Sequence, residues 1–94
     1  MADFLTYKDK PLVRQGNEIY YGNMSDKYII KLEILSYKKE GNLEVADKVK
    51  VLLLLSDTAL DLKSRIIKTS EKNGLYEAMD IGSVWLEREL KKEG

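Results

Sequence analysis

Few residues in this 94-residue chain carry chemistry beyond that needed to fold. Ser25-Asp26-Lys27 is where a hydroxyl, a carboxylate and an amine stand together, the raw materials of a nucleophile and its base. Adjacency in a loop does not by itself tune pKa values, and an exposed polar turn accounts for the same three residues. Asp57 and Asp61, four apart, would share one face of a helix and could hold a cation there; a capped, solvated turn is the plainer account. Gly16-Asn17 and Gly22-Asn23 are not followed by the lysine and hydroxyl residue of a phosphate-binding loop, so both read as turns. The chain has no histidine and no cysteine. Those absences remove the commonest general base near neutral pH, disulfides and thiolate metal sites, leaving only carboxylates for hard cations. The expectation is a protein that is not an enzyme and carries no cofactor and no metal.

Two surface chemistries remain. Tyr20, Tyr21, Tyr28 and Tyr37 stand near Arg14, Lys27, Lys31, Lys38 and Lys39 in sequence, and small β-barrels stack single-stranded bases on such rings over a basic groove. Against this, sixteen basic residues balance sixteen acidic ones, so no global field draws in nucleic acid. Tyr76 and Trp85 belong to residue types favoured at protein interfaces.

The element that must position these groups is the stretch Tyr28 to Ser56. Ile30, Leu32 and Ile34 alternate with Ile29, Lys31, Glu33, Leu35 and Tyr37, a period of two that predicts a strand. Val49, Val51, Leu53 and Leu55 alternate in the same way with Lys48, Lys50, Leu52 and Leu54. Glu40-Gly41-Asn42 between them lets the chain reverse, predicting a long antiparallel hairpin. Its second strand starts as early as Leu43 if Ala46-Asp47 forms a bulge. Both faces of this hairpin are apolar. One lines the main core, and the other, with Ile29, Leu35, Tyr37, Leu52 and Leu54 beside its lysines and glutamate, requires at least partial cover from a helix of the same chain or from a partner.

The remaining elements are shorter. Phe4 to Tyr7 is a candidate strand ended by Lys8-Asp9-Lys10-Pro11, and Leu12–Gln15 with Glu18–Tyr21 form a tight hairpin around Gly16-Asn17. Asp57-Thr58 reads as a cap with a single helical turn from Thr58 to Leu62. Arg65 to Thr69 fits either a continuation of that helix or a sixth strand, and its β-branched pair favours the strand. From Leu75 to Lys92, Leu75, Ala78, Met79, Ile81, Gly82, Trp85, Leu86 and Leu90 mark one broad helical face, with Asn73 as the expected N-cap. Gly82 on that face indicates either a close approach of a neighbour or a mild local weakness.

These elements assemble into one α+β domain of roughly the size that buries 60 to 65% of its unfolded surface. It is a five- or six-stranded antiparallel meander, curled or barrel-like, with one long C-terminal helix packed on it. The segments GNEIYYGNMSDKY (16–28) and DIGSVWLEREL (80–90) resemble those of a group of short uncharacterised bacterial proteins. That resemblance implies a bacterial, intracellular protein and brings no catalytic or binding residues. The start of the chain has no basic and apolar leader pattern, and its longest aliphatic run, Val51 to Leu55, is far too short to span a bilayer. A cytoplasmic protein is therefore expected, and no membrane partner. The function expected is a protein-interaction module, self-association included, with single-stranded nucleic-acid binding as the alternative. The candidate surface comprises Tyr20, Tyr28, Lys31, Tyr37, Leu52, Leu54, Tyr76 and Trp85.

Overall fold

The computed structural model describes residues 5–93 apart from Asp9 and Met24. Its six-stranded antiparallel sheet runs β1 (Leu5–Tyr7), β2 (Lys10–Gln15), β3 (Glu18–Tyr21), β4 (Tyr28–Ile34), β7 (Lys48–Leu55) and β8 (Ile66–Asn73) in spatial order. The chain is thus a meander interrupted once, between β4 and β7, by a two-stranded ribbon of β5 (Tyr37–Glu40) and β6 (Leu43–Ala46). A four-residue helix, α1 (Leu62–Arg65), precedes β8, and α2 (Leu75–Glu93) ends the chain. The edges β1 and β8 do not pair with one another, so the sheet is open and not a closed barrel.

The long hairpin predicted over 28–56 is present, and its register explains the ribbon. Tyr28 pairs with Leu55 and Ile34 with Val49, and Tyr37 pairs with Ala46 and Glu40 with Leu43. Each of these pairs sums to 83, so no residue is gained or lost along the hairpin. The break falls at the 35–36 and 47 positions: Leu35 N and Ser36 N both donate to Lys48 O, at 2.8 and 3.4 Å, and Asp47 N donates to Ser36 O at 2.9 Å. Gly41, at φ +61°, opens the two-residue turn at the tip.

Antiparallel partners share a face, so the sheet sorts its side chains unambiguously. Ile19, Tyr21, Ile30, Leu32, Ile34, Val49, Val51 and Leu53 are buried on one face, together with Ala78, Trp85 and Leu86 of α2. Burying eight strand side chains under one helix at roughly 1.5–3 kcal/mol each makes this the dominant stabilising contact. The helix lies close. A Cβ on Gly82 would stand 3.0 Å from Ile30 Cγ2, so the close approach is the reason for glycine there. Gly22, at φ +120°, leaves room in the same way for Leu86 Cδ2.

The opposite face is covered from within the chain. Ile29, Leu52 and Leu54 are buried there with Ile66 against them, which corrects the expectation that Leu52 and Leu54 belong to an interaction surface. Other boundaries differ for physical reasons. Pro11 lies inside β2, beside the three-residue edge strand β1, where a missing donor is tolerated. Phe4 lies outside the described residues. The single helical turn begins at Leu62, not Thr58, because Asp61 is its N-cap, its carboxylate accepting from Ser64 N at 2.8 Å. Asn73 is not the cap of α2. It closes β8, where its Oδ1 accepts from Lys48 Nζ at 3.0 Å, and Gly74 at φ +95° makes the corner. Among the described residues no helix is long and apolar enough to cross a membrane.

Candidate functional site

Beyond Ile34 and Val49 the hairpin loses both neighbours. On one side β3 has turned back at Glu18, and on the other β8 ends at Asn73 opposite Lys48. The β5–β6 ribbon therefore projects past the sheet, and α2 begins level with its base: Gly74 N donates to Asp47 O at 2.7 Å. A second tie crosses to the other side, where Tyr37 OH donates to Asn17 Oδ1 at 2.6 Å.

Between the ribbon and the first turn of α2 lies a groove of about 700 Å³. Ile34, Val45, Ala46 and Leu75 give it an apolar lining, and Tyr37 and Tyr76 stand along it. Tyr76 is 88% exposed and Tyr37 41%. Charges of both signs line it, Glu40 of β5 among them. Arg14 and Lys38 come from β2 and β5, whereas Glu44 and Glu77 come from β6 and the first turn of α2. Arg14 Nε is engaged by Gly16 O at 3.1 Å, and Lys38 lies 3.8 Å from Glu40.

Only two of the candidate surface residues, Tyr37 and Tyr76, meet in this groove. The rest are dispersed. Tyr28 sits on the helix-covered face and packs against the main core, with Lys27 Nζ 5.6 Å from its ring centroid. Trp85 is buried in that core beneath Lys68, whose Nζ is 5.0 Å from the ring centroid. Tyr21 is buried too, its hydroxyl donating to Tyr7 O at 2.8 Å. Tyr20 and Lys31 pair across β3 and β4 on the opposite face. The four tyrosines thus form no common stacking platform.

Lys31 is 9% exposed, and its amine meets Glu18 at 2.9 Å and Tyr20's ring at 5.7 Å. Burial works against its charged form, but the hydrogen bond it donates to Glu18 and the charges of Tyr20, Glu18 and Glu33 outweigh it, raising its pKa above 10.5. The hydrogen bond and charge of Lys31 hold the Glu18 carboxyl below its usual range. This pair holds a cation inside the sheet; it frames no cavity.

The other chemical candidates are taken up by turns. Asp26 O accepts from Ser56 Oγ, fastening the Ser25-Asp26-Lys27 turn to the end of β7. Asp57 accepts from Ala59 N at 3.0 Å, outside the helix that Asp61 caps, so the two carboxylates do not share a helical face. Sequence reasoning missed Leu43, Glu44, Val45 and Ala46 as surface residues. The signal was available in the hairpin's length, which carries Leu43 beyond the reach of a single helix.

Comparison with known proteins finds no matching family model, no curated relative and no similar solved structure.

Proposed function

We propose that this chain is a non-enzymatic protein-interaction module, presenting the groove between the β5–β6 ribbon and the start of α2 to a protein partner, with a second copy of itself included among the possible partners. One observation carries this reading. Of the six large apolar residues exposed among the described residues, Leu35, Tyr37, Leu43 and Tyr76 lie on the ribbon, its hinge or the groove's rim. Leu35 is 52% exposed and Leu43 69%. Apolar and aromatic groups gathered at one end of a small domain, beside a concave surface, mark a docking region more often than scattered ones do. The balanced net charge fits recognition by local contacts without long-range attraction.

The test is photo-crosslinking in the native cell from a photoreactive residue placed at position 37, 43 or 76, with position 63 as control. A discrete adduct from the first three positions and none from the fourth is expected. An adduct of twice the chain's mass identifies a second copy as the partner. Nuclease-sensitive adducts would establish the single-stranded nucleic-acid alternative, and equal labelling from all four positions would remove the docking region altogether.

A further inference from the structure

We infer that β6 accepts an extended, positively charged segment of a partner protein as an added strand, in line with β8. The inference rests on the interaction reading above and specifies the partner's chemistry. Glu40 and Leu43 flank the two-residue turn and so form the hydrogen-bonded pair that closes it. Bonded and non-bonded pairs then alternate, which turns the N–H and C=O groups of Glu44 and Ala46 away from β5. The ribbon is two-stranded, so no described strand pairs with that outer edge. β8 would have continued into this position, but Gly74 turns the chain into α2 after its bond to Asp47 O. The place beside β6 is therefore a strand position that no described strand fills, bordered by the groove.

The flanking charges select the occupant. Glu44 on β6 and Glu77 on α2 line this side of the groove, and among the described residues neither is in an ion pair. The groove's cations lie toward β2 and β5, with Arg14 held by Gly16 O and Lys38 beside Glu40. An extended chain gaining its main-chain bonds from Glu44 and Ala46 lies along a groove that Glu44 and Glu77 line, and their carboxylates favour lysine or arginine on that chain. With only two residues offering bonds, exposed Glu44 and half-buried Ala46, the contact is short and its exchange fast.

The experiment is a titration of the isotope-labelled full chain, followed by amide NMR, with the peptide acetyl-Lys-Val-Lys-Thr-Lys-Val-amide. Saturable shifts confined to residues 43–47 and 74–77 are expected. The matching peptide with glutamate in place of lysine should bind at least tenfold more weakly. The same loss is expected when alternate backbone nitrogens of the basic peptide are methylated, because methylation deletes the donors an added strand uses. The exposed substitutions Glu44→Gln and Glu77→Gln together should weaken the basic peptide several-fold. Absence of shifts at these residues overturns the inference, as do equal binding of the acidic peptide or of the methylated one. Shifts at the β6 edge that depend on protein concentration alone would give the edge to a second copy and overturn it too. Crosslinks from positions 37, 43 and 76 that persist after such a failure would leave the interaction reading standing.

Discussion

Replacing Gly82 with alanine sets two effects of known size against each other. In an exposed helix the change gains about 1 kcal/mol. Here the new Cβ would stand 3.0 Å from Ile30 Cγ2 and 3.7 Å from Val51 Cγ1, against an optimum of about 3.5–4.0 Å for carbon pairs. Ile30 cannot step aside, since it is fully buried on a strand flanked by β3 and β7. Overpacking of this kind costs about 1–3 kcal/mol, so a net loss of about 1 kcal/mol is expected. For a domain of this size that lowers Tm by about 4–8 °C, measurable by circular dichroism or calorimetry. The second arm fixes the cause. Ile30→Ala alone should cost about 2–5 kcal/mol, and in that background Gly82→Ala should become stabilising as the clash disappears and propensity remains. A rise in Tm for Gly82→Ala in the native background, or the same loss in both backgrounds, would refute the close-packing account.

The Lys31–Glu18 pair predicts a pH signature. Glu18's folded pKa is depressed, so its contribution is present above its ordinary value of 4.5 and lost as pH falls through the lower folded value; Lys31's is raised, so its contribution persists below 10.5 and is lost only in stronger alkali. Urea denaturation of Glu18→Gln should therefore show a stability deficit at pH 7 that shrinks in strong acid, and a deficit constant with pH would contradict the pairing. Gly22→Ala, at φ +120° and 3.2 Å from Leu86 Cδ2, should cost about 2–3 kcal/mol, whereas Gly41→Ala, at φ +61° with open space around it, should cost about 1. Thermal melts of the two variants would check the order. Tyr76→Ala should change stability by no more than about 0.5 kcal/mol, while Trp85→Ala should cost about 3–5, and the native fluorescence should be that of a sheltered indole. A red, fully quenchable emission would place Trp85 outside the core.

Much of the fold is legible because two periods are unambiguous. Alternation from Tyr28 to Ile34 and from Lys48 to Leu55 dictates two pleated strands, and the 3.6-residue pattern after Leu75 dictates a helix with one buried face. Glycine in the middle of that face is legible as a contact point once the helix is placed. The edge strand β8 is longer than its sequence suggests, since 68–73 is polar and gains its strand form by pairing with the backbone of β7. Its length also takes Asn73 away from helix capping. The candidate surface is less legible, because the placement of a tyrosine depends on register and on which face the helix covers. Tyr20 and Tyr21 are neighbours in sequence and stand on opposite sides of the sheet. Leu52 and Leu54 are on the face opposite the main core, as their parity requires, but parity does not say that the chain itself buries them.

The helix and the hairpin do not match in length, and this mismatch creates the exposed end. A strand path from Tyr28 to Glu40 spans thirteen residues, about 43 Å at 3.3 Å each, close to the 45 Å long axis of the molecule. The nineteen residues of α2 rise about 28 Å. The shortfall of about 15 Å is nearly the length of the four-residue ribbon strands. A domain needing only a closed core could turn at Ile34 and Val49, where the register already aligns the two strands, and keep every fully buried member of the cluster that holds α2, giving up only the half-buried Ala46 beside it. The ribbon instead carries Tyr37, Leu43 and two edges that no described strand pairs past the cover available to them, held in place by Tyr37 on one flank and the Gly74 corner on the other. An extension that the core does not require, held at both flanks and apolar at its surface, is where a partner has the most to gain by binding.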